Sequence, residues 1–255
     1  MRLAEEGADI IAVDLCEDIA TIGYPMATPE DLDETAAFVE KTGQRIVTAR
    51  ADVRDAAQLR KALDDGVAAL GGLDIVVAQA GIAGMKGNPP LQAWTDVINT
   101  NLIGTINAIQ VALPHLKEGA AIVATGSTAA LMDTQNKPNP GGDPGGMAYM
   151  TSKRLLSQYV HDLATELAVR GIRANVVHPT NCNTDMLQSP PMYKSFRPDL
   201  ENPTRADANR CSGCSRRCGS TTSSPRTSAT RSCGWSPTRP ATSRARSCAS
   251  MPAAI

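Results

Sequence analysis

No stretch of the 255-residue sequence approaches the roughly 18 consecutive apolar residues that a membrane span needs. The opening residues Met1-Arg2-Leu3-Ala4-Glu5-Glu6 carry no apolar leader either. A soluble cytoplasmic protein with no membrane partner is expected. Cysteine is scarce where a core could form: only Cys16 and Cys182 fall within residues 1–209, too few for a disulfide scaffold and without metal-ligand spacing. An excess of either charge is also missing, since 25 Lys and Arg stand against 26 Asp and Glu, so nothing in the overall balance calls for a nucleic-acid partner. The end of the chain lacks still more. From Cys211 to Ile255 there is no Asp, Glu or Lys, and Ile255 is the only Leu, Ile or Val. Residues 210–255, rich in Ser, Arg and Cys, therefore have no face to bury and are expected to be disordered. Residues 1–209 form the folded part, long enough for one α/β domain.

In that part, strand-length apolar runs alternate with helical periodicity, the pattern of βα units around a parallel sheet buried on both faces. Residues 1–7 read as the end of a helix closed by Gly7, followed by a strand from Asp9 to Leu15 and a loop rich in Pro and Thr. A helix from Pro29 to Gly43, a strand from Arg45 to Ala49, a helix from Asp55 to Leu70 and a strand from Leu73 to Ala78 come next. Then follow a long helix from about Leu91 to Leu116 with a break possible at Pro114, a strand from Ala121 to Thr125, a helix from Met147 to Arg170 and a strand from Ile172 to Val177. Five strands are expected.

Several residues could carry chemistry. Asp14 ends the first strand, where a carboxylate can accept from ribose hydroxyls and repel a 2′-phosphate, which favours NAD over NADP; an ordinary turn Asp explains it equally well. Tyr149 and Lys153 are four residues apart, on one helix face, so the cation can stabilise a phenolate whose ordinary pKa of about 10 would otherwise make it a poor base. A solvated helix face is the plainer reading of that pair taken alone. Ser127 follows the strand Ala121–Thr125 at a carboxyl end, where open α/β sheets bind ligands. Small residues close the strand that runs to Gly81, and NTNLIG at 99–104 places polar groups inside an apolar helix.

Taken in order, D-V at Asp52-Val53, A-Q-A-G at 78–81, N-L-I-G at 101–104, Ser127, Y-x-x-x-K at 149–153 and H-P-T at 178–180 resemble the short-chain dehydrogenase/reductases. The loop between Cys16 and Pro29, the 22-residue step from Ser127 to Tyr149 and the H-P-T resemble the mycofactocin-associated, carveol-dehydrogenase-like branch. The resemblance implies a Rossmann-type, doubly wound parallel sheet and an NAD-dependent oxidoreductase that interconverts a secondary alcohol and a ketone. It implies Tyr149 as general acid/base, Ser127 as the substrate-orienting hydroxyl, Lys153 as phenolate stabiliser and ribose ligand, and Asn101 as holder of a relay water. Asp14 would bind the adenosine ribose, Asp52 and Val53 the adenine, Ala80 and Gly81 the middle of the cofactor, and Thr184 the nicotinamide amide. Residues 182–209 would touch a small hydrophobic substrate. A homotetramer, and mycofactocin as electron acceptor, are further implications. Gln79 stands where the family has Asn, one methylene shorter.

The sequence departs from the family at both ends. The glycine-rich phosphate loop is absent, and the glycines at 81, 84 and 87 follow too late a strand to replace it. The expectation is that Met1 is an internal position read as a start, that the first strand is lacking, and that NAD binds this chain weakly for want of the loop's N–H groups. The change in composition at about Arg210 reads as a frameshift, with the family's last strand missing, so an inactive relative is the alternative function. A non-enzymatic protein with an Arg/Ser-rich nucleic-acid-binding tail is a third reading. Zinc at Cys211, Cys214 and Cys218 is disfavoured because no second ligand pair has the right spacing, and no metal is expected.

Overall fold

The structure is a computed structural model that describes residues 1–85, 90–132 and 144–209. The expected disorder of residues 210–255 and the five tail cysteines, Cys211, Cys214 and Cys218 among them, lie outside the described residues. All five expected strands form. β1 (Ile10–Asp14) pairs in parallel with β2 (Ile46–Arg50), from Ile10 opposite Ile46 to Asp14 opposite Arg50. β3 (Leu73–Ala78), β4 (Leu116–Thr125) and β5 (Arg173–Val177) make a second parallel sheet in that order. Among the described residues no ladder joins β1 to β3, so the α/β architecture is split into two sheets.

What unites them is a shared helical layer. Side chains alternate across a strand, so Ile11 and Val13 leave one face of β1 while Ile10 and Ala12 leave the other. Ile11 and Val13 join a core with Leu59 and Leu63 of α3 (Ala56–Leu70), Val76 of β3, Ile109 of α5 (Gly104–Ala112), Ile122 of β4 and Leu156 of α6 (Pro144–Ala168). Ile10 and Ala12 instead meet Ala4 of α1 (Arg2–Glu5) and Leu32 and Val39 of α2 (Pro29–Glu40). Helix α3 begins where Asp55 accepts from the amides of Ala57 and Gln58, and stops at Gly71, whose φ of 95° closes the last turn in the left-handed region. Leu63 is fully buried in the core that α3 shares with strands of both sheets. Leu63→Ala should therefore cost about 2–5 kcal/mol, read as a lower urea midpoint. A loss below about 1 kcal/mol would show that α3 does not seal the two sheets together.

The long helix expected over 91–116 is shorter and interrupted. It comprises α4 (Pro90–Ile98), a π-helical turn (Asn99–Ile103) and α5, which ends at Ala112 because Pro114 offers no N–H to the ladder. The chain then enters β4 at Leu116, five residues earlier than expected. Leu116 pairs with Leu73, but Ile75 pairs with Ala121, so the polar stretch Lys117-Glu118-Gly119 bulges out of register, with Gly119 at φ 88°. Helix α6 starts three residues before Met147 and ends two before Arg170. Two short helices that periodicity did not announce, α7 (Pro190–Phe196) and α8 (Arg205–Asn209), complete the described chain. No helix among the described residues is long and apolar enough to cross a membrane.

Candidate active site

Parallel strands place all their carboxyl ends on one side of the molecule, and the segments that leave those ends enclose a cavity of about 320 Å³. Asp14, Asp52, Val53, Ala80, Gly81 and Thr184 all line it, so six of the residues assigned to the cofactor by the resemblance share one cavity, while Tyr149 and Lys153, assigned to it as well, are not part of its lining. Asp14 lines the cavity, and its Oδ1 accepts from the Cys16 amide at 2.9 Å, holding the turn in which Cys16 takes φ 53°. Burial works upward on the Asp52 carboxyl, but hydrogen bonds and charge pairing with Arg54, whose Nη2 lies 2.6 Å away, hold it below the usual carboxylate range.

The loop between β1 and α2 is fixed over this cavity at two points. Thr21 Oγ1 donates to the buried Asp96 at 2.7 Å, and the Ala83 amide donates to Tyr24 Oη at 2.9 Å. Burial pushes the Tyr24 phenol far above its ordinary value, so Tyr24 is a neutral wall. Thr100 also faces the cavity, and its Oγ1 is the one buried side-chain polar atom without a partner among the described residues. A buried hydroxyl is costly to leave without a partner.

Ser127, Tyr149, Lys153 and Asn101 gather beside the cavity. The π-helical turn sets Asn101 inward, with no exposed surface; its Oδ1 accepts from the Ile82 amide at 2.8 Å and its Nδ2 donates to the Ile82 carbonyl at 2.9 Å. Lys153 is 3% exposed and donates to the Thr125 carbonyl at 2.6 Å. Burial lowers its pKa to about 8. Its Nζ lies 5.9 Å from the centre of the Tyr149 ring. Ser127 and Tyr149 are joined by a side-chain hydrogen bond, while Ser127 Oγ also accepts from the Ala129 amide at 3.1 Å. Burial pushes the Tyr149 phenol up, the Ser127 bond draws it down, and Cys182 adds to the rise. The net direction is upward, against the fall expected from Lys153 at its side. Gly81 connects the two groups, because a Cβ there would stand 3.4 Å from both Asn101 Oδ1 and Lys153 Nζ while Gly81 itself lines the cavity.

Gln79 also lines the cavity, and its side-chain oxygen accepts from Thr125 Oγ1, tying the ends of β3 and β4 together. From the segment expected to touch substrate, Thr184, Asp185 and Met186 reach the cavity wall. Three residues of the site were not foreseen as such: Tyr24, Thr100 and His178, whose ring contacts Ser127. The H-P-T motif marked His178 as unusual without giving it a role, and Thr100 lay in view inside NTNLIG. Among the described residues no group of three or more His, Cys, Asp or Glu is placed to hold a metal.

The model of the short chain dehydrogenase family matches residues 2–192. (−)-trans-Carveol dehydrogenase of Rhodococcus erythropolis is 40% identical over 213 residues, which are 81% of this chain and 74% of that protein. A crystal structure of carveol dehydrogenase from Mycobacterium avium in complex with NAD superposes with a TM-score of 0.71 at 40% identity, covering 81% of this chain and 73% of the other. A short chain dehydrogenase from Mycobacterium paratuberculosis bound to NAD follows at TM-score 0.67 and 36% identity, covering 78% and 74%. Matched over most of its described length by sequence and by fold, this chain belongs to the short-chain dehydrogenase family.

Proposed function

We propose that the chain interconverts a secondary alcohol and its ketone with NAD, using Tyr149, Ser127, Lys153 and Asn101. The observation that carries this is the meeting at Gly81 of a cavity lined by six cofactor-type residues with a buried ammonium, a buried amide and a hydrogen-bonded Ser/Tyr pair. The cavity suits a dinucleotide: the unpartnered Thr100 hydroxyl lies at its wall, Gly81 lines it without a side chain, and Asp14 stands where ribose hydroxyls would donate. Asp14 would hold the adenosine ribose, Asp52 and Val53 the adenine, Ala80 and Gly81 the cofactor's middle, and Thr184 the carboxamide. NAD, when bound, supplies nicotinamide C4 as the acceptor of a hydride.

The protein's own residues handle the proton. Ser127 donates to the substrate oxygen and orients the carbinol carbon. Tyr149, as phenolate, takes the hydroxyl proton in oxidation and returns it in reduction. Lys153 places a positive charge near that phenolate in a site of low dielectric, where its effect is larger than in water. Asn101 holds the turn on which the relay of that proton to solvent depends. Substrates are small hydrophobic alcohols of terpenoid type, matched to the apolar side of the cavity formed by Ile19, Met26 and Met186. The same reading carries assembly as a homotetramer, and mycofactocin as the final electron acceptor, as proposals.

The test is oxidation of (−)-trans-carveol by the purified chain at saturating NAD, followed by NADH absorbance, with a parallel NADH fluorescence titration. NAD-dependent formation of a ketone is expected. Absence of both turnover and cofactor binding would overturn the reading. Asp14→Asn, which removes the charge but keeps the cap on the Cys16 amide, should narrow the preference for NAD over NADP by about tenfold or more in kcat/KM. An unchanged preference would leave Asp14 as a turn residue alone.

A further inference from the structure

We infer that His178 is a positioning residue that fixes Ser127 in line with Tyr149, taking over where the sheet has no strand left to do so. This rests on the reading of Ser127 as the substrate-orienting hydroxyl. Strand β3 pairs with β4 only as far as Ala78 opposite Ala124, so beyond Thr125 one side of β4's extension has no neighbouring strand. On its other side the extension continues against the chain leaving β5: the Gly126 amide donates to the Val177 carbonyl at 2.8 Å and the Thr128 amide to the Pro179 carbonyl at 3.0 Å. Ser127, between them, points its peptide groups the opposite way, as alternate residues of a parallel ladder do.

Those groups meet the imidazole. His178 Nδ1 lies 3.2 Å from the Ser127 amide nitrogen and 2.9 Å from the Ser127 carbonyl oxygen. With its proton on Nε2 the ring accepts from the amide, and with a proton on Nδ1 it donates to the carbonyl. Either way one side chain holds the residue that carries the hydroxyl. The ring reaches this position by crossing over Gly126, where a Cβ would fall 2.6 Å from Nδ1 and 2.8 Å from Cε1. The absent Gly126 side chain and the present His178 ring are thus two halves of one arrangement. Its purpose follows from what Ser127 must do: its hydroxyl bonds Tyr149, and a rotation of residue 127 would carry that hydroxyl away from both Tyr149 and the substrate oxygen.

Two substitutions separate the polar contact from mere bulk. His178→Leu keeps the volume and loses the contact, whereas His178→Asn keeps an atom two bonds beyond Cβ, where Nδ1 sits, able to bond the Ser127 amide. With (−)-trans-carveol and NAD as the probes, His178→Leu should lower kcat about tenfold with the KM for NAD little changed, and His178→Asn should recover most of the loss. Adding His178→Leu to Ser127→Ala should cost nothing further, because the positioned group is already gone. Hydrogen exchange of the Ser127 amide, read by NMR in the chain without substrate, should quicken about tenfold in His178→Leu and stay near wild type in His178→Asn. A Ser127 amide that exchanges at the wild-type rate in His178→Leu overturns the inference. So does a His178→Asn protein that folds yet loses as much kcat as His178→Leu. If Ser127→Ala leaves kcat intact, it is the catalytic reading of Ser127 that fails, and amide exchange alone then decides whether His178 holds residue 127.

Discussion

Tyr149→Phe is expected to lower kcat for alcohol oxidation by about 10²–10⁴-fold while leaving NADH binding almost unchanged. The substitution removes one oxygen and keeps the ring, which packs against the apolar cluster of Ile22, Ile82, Val97 and Ala148, so little of the fold is disturbed. What disappears is the hydroxyl proposed to exchange a proton with the substrate, together with its hydrogen bond to Ser127. Because burial raises the Tyr149 pKa, the phenolate is a minor form at neutral pH and grows with each step upward. The wild-type rate should accordingly rise with pH toward about 8, above which Lys153 loses the charge that stabilises the phenolate, and that rise should be missing in the Phe variant. Stopped-flow measurement of NADH formation across the alkaline range provides both comparisons. A loss smaller than about tenfold would assign the proton to another group.

Lys153→Met should abolish turnover and yet give a more stable protein at neutral pH. The ammonium is almost fully buried, and burial alone brings its pKa from 10.5 to about 8. The folded state therefore holds this proton less tightly than the unfolded chain does, and between those two values unfolding takes up a proton. It follows that the charge weakens the fold most below about pH 8 and that the penalty fades as pH climbs toward the ordinary lysine value. A shift of this size corresponds to about 3 kcal/mol, from which loss of the hydrogen bond to the Thr125 carbonyl subtracts about 1 kcal/mol. Urea unfolding at pH 7 should show Lys153→Met ahead by about 2 kcal/mol, with the advantage shrinking on going to pH 10. A variant less stable than wild type at pH 7 would mean that the contacts of Lys153 outweigh the cost of burying its charge. The site is in this respect a strained place in the fold, kept for its chemistry.

That residues from several strand ends would line one cavity was legible in the sequence, because parallel strands collect their carboxyl ends whatever lies between them. Asp14, Asp52, Ala80 and Thr184 belong to four separate segments, and once each was placed just beyond a strand they had to converge. Tyr149 and Lys153 were legible for a different reason, since four-residue spacing on a helix is itself a statement of proximity. Contacts made by irregular chain were not legible. Tyr24 reaches Ala83 from a loop whose path no periodicity describes, and His178 reaches Ser127 only because Gly126 lets it pass. The early start of β4 was hidden by Lys117-Glu118-Gly119, a polar stretch that looks like a turn and is a bulge. The π-helical turn left no mark at all, because widening a helix by one residue changes the hydrogen-bond partners of the backbone and not its composition.

That turn can be seen as a spare residue. Helix α4 before it packs on α6, and α5 after it packs on α3, so each flank keeps the face that the core requires. A helix interrupted by one inserted codon preserves the orientation of what precedes and follows, while the surplus loop of backbone offers a side chain that neither flank needs for packing. Asn101 occupies this surplus. The inward-facing amide is thus set by the backbone alone, at no cost in packing to the helices on either side.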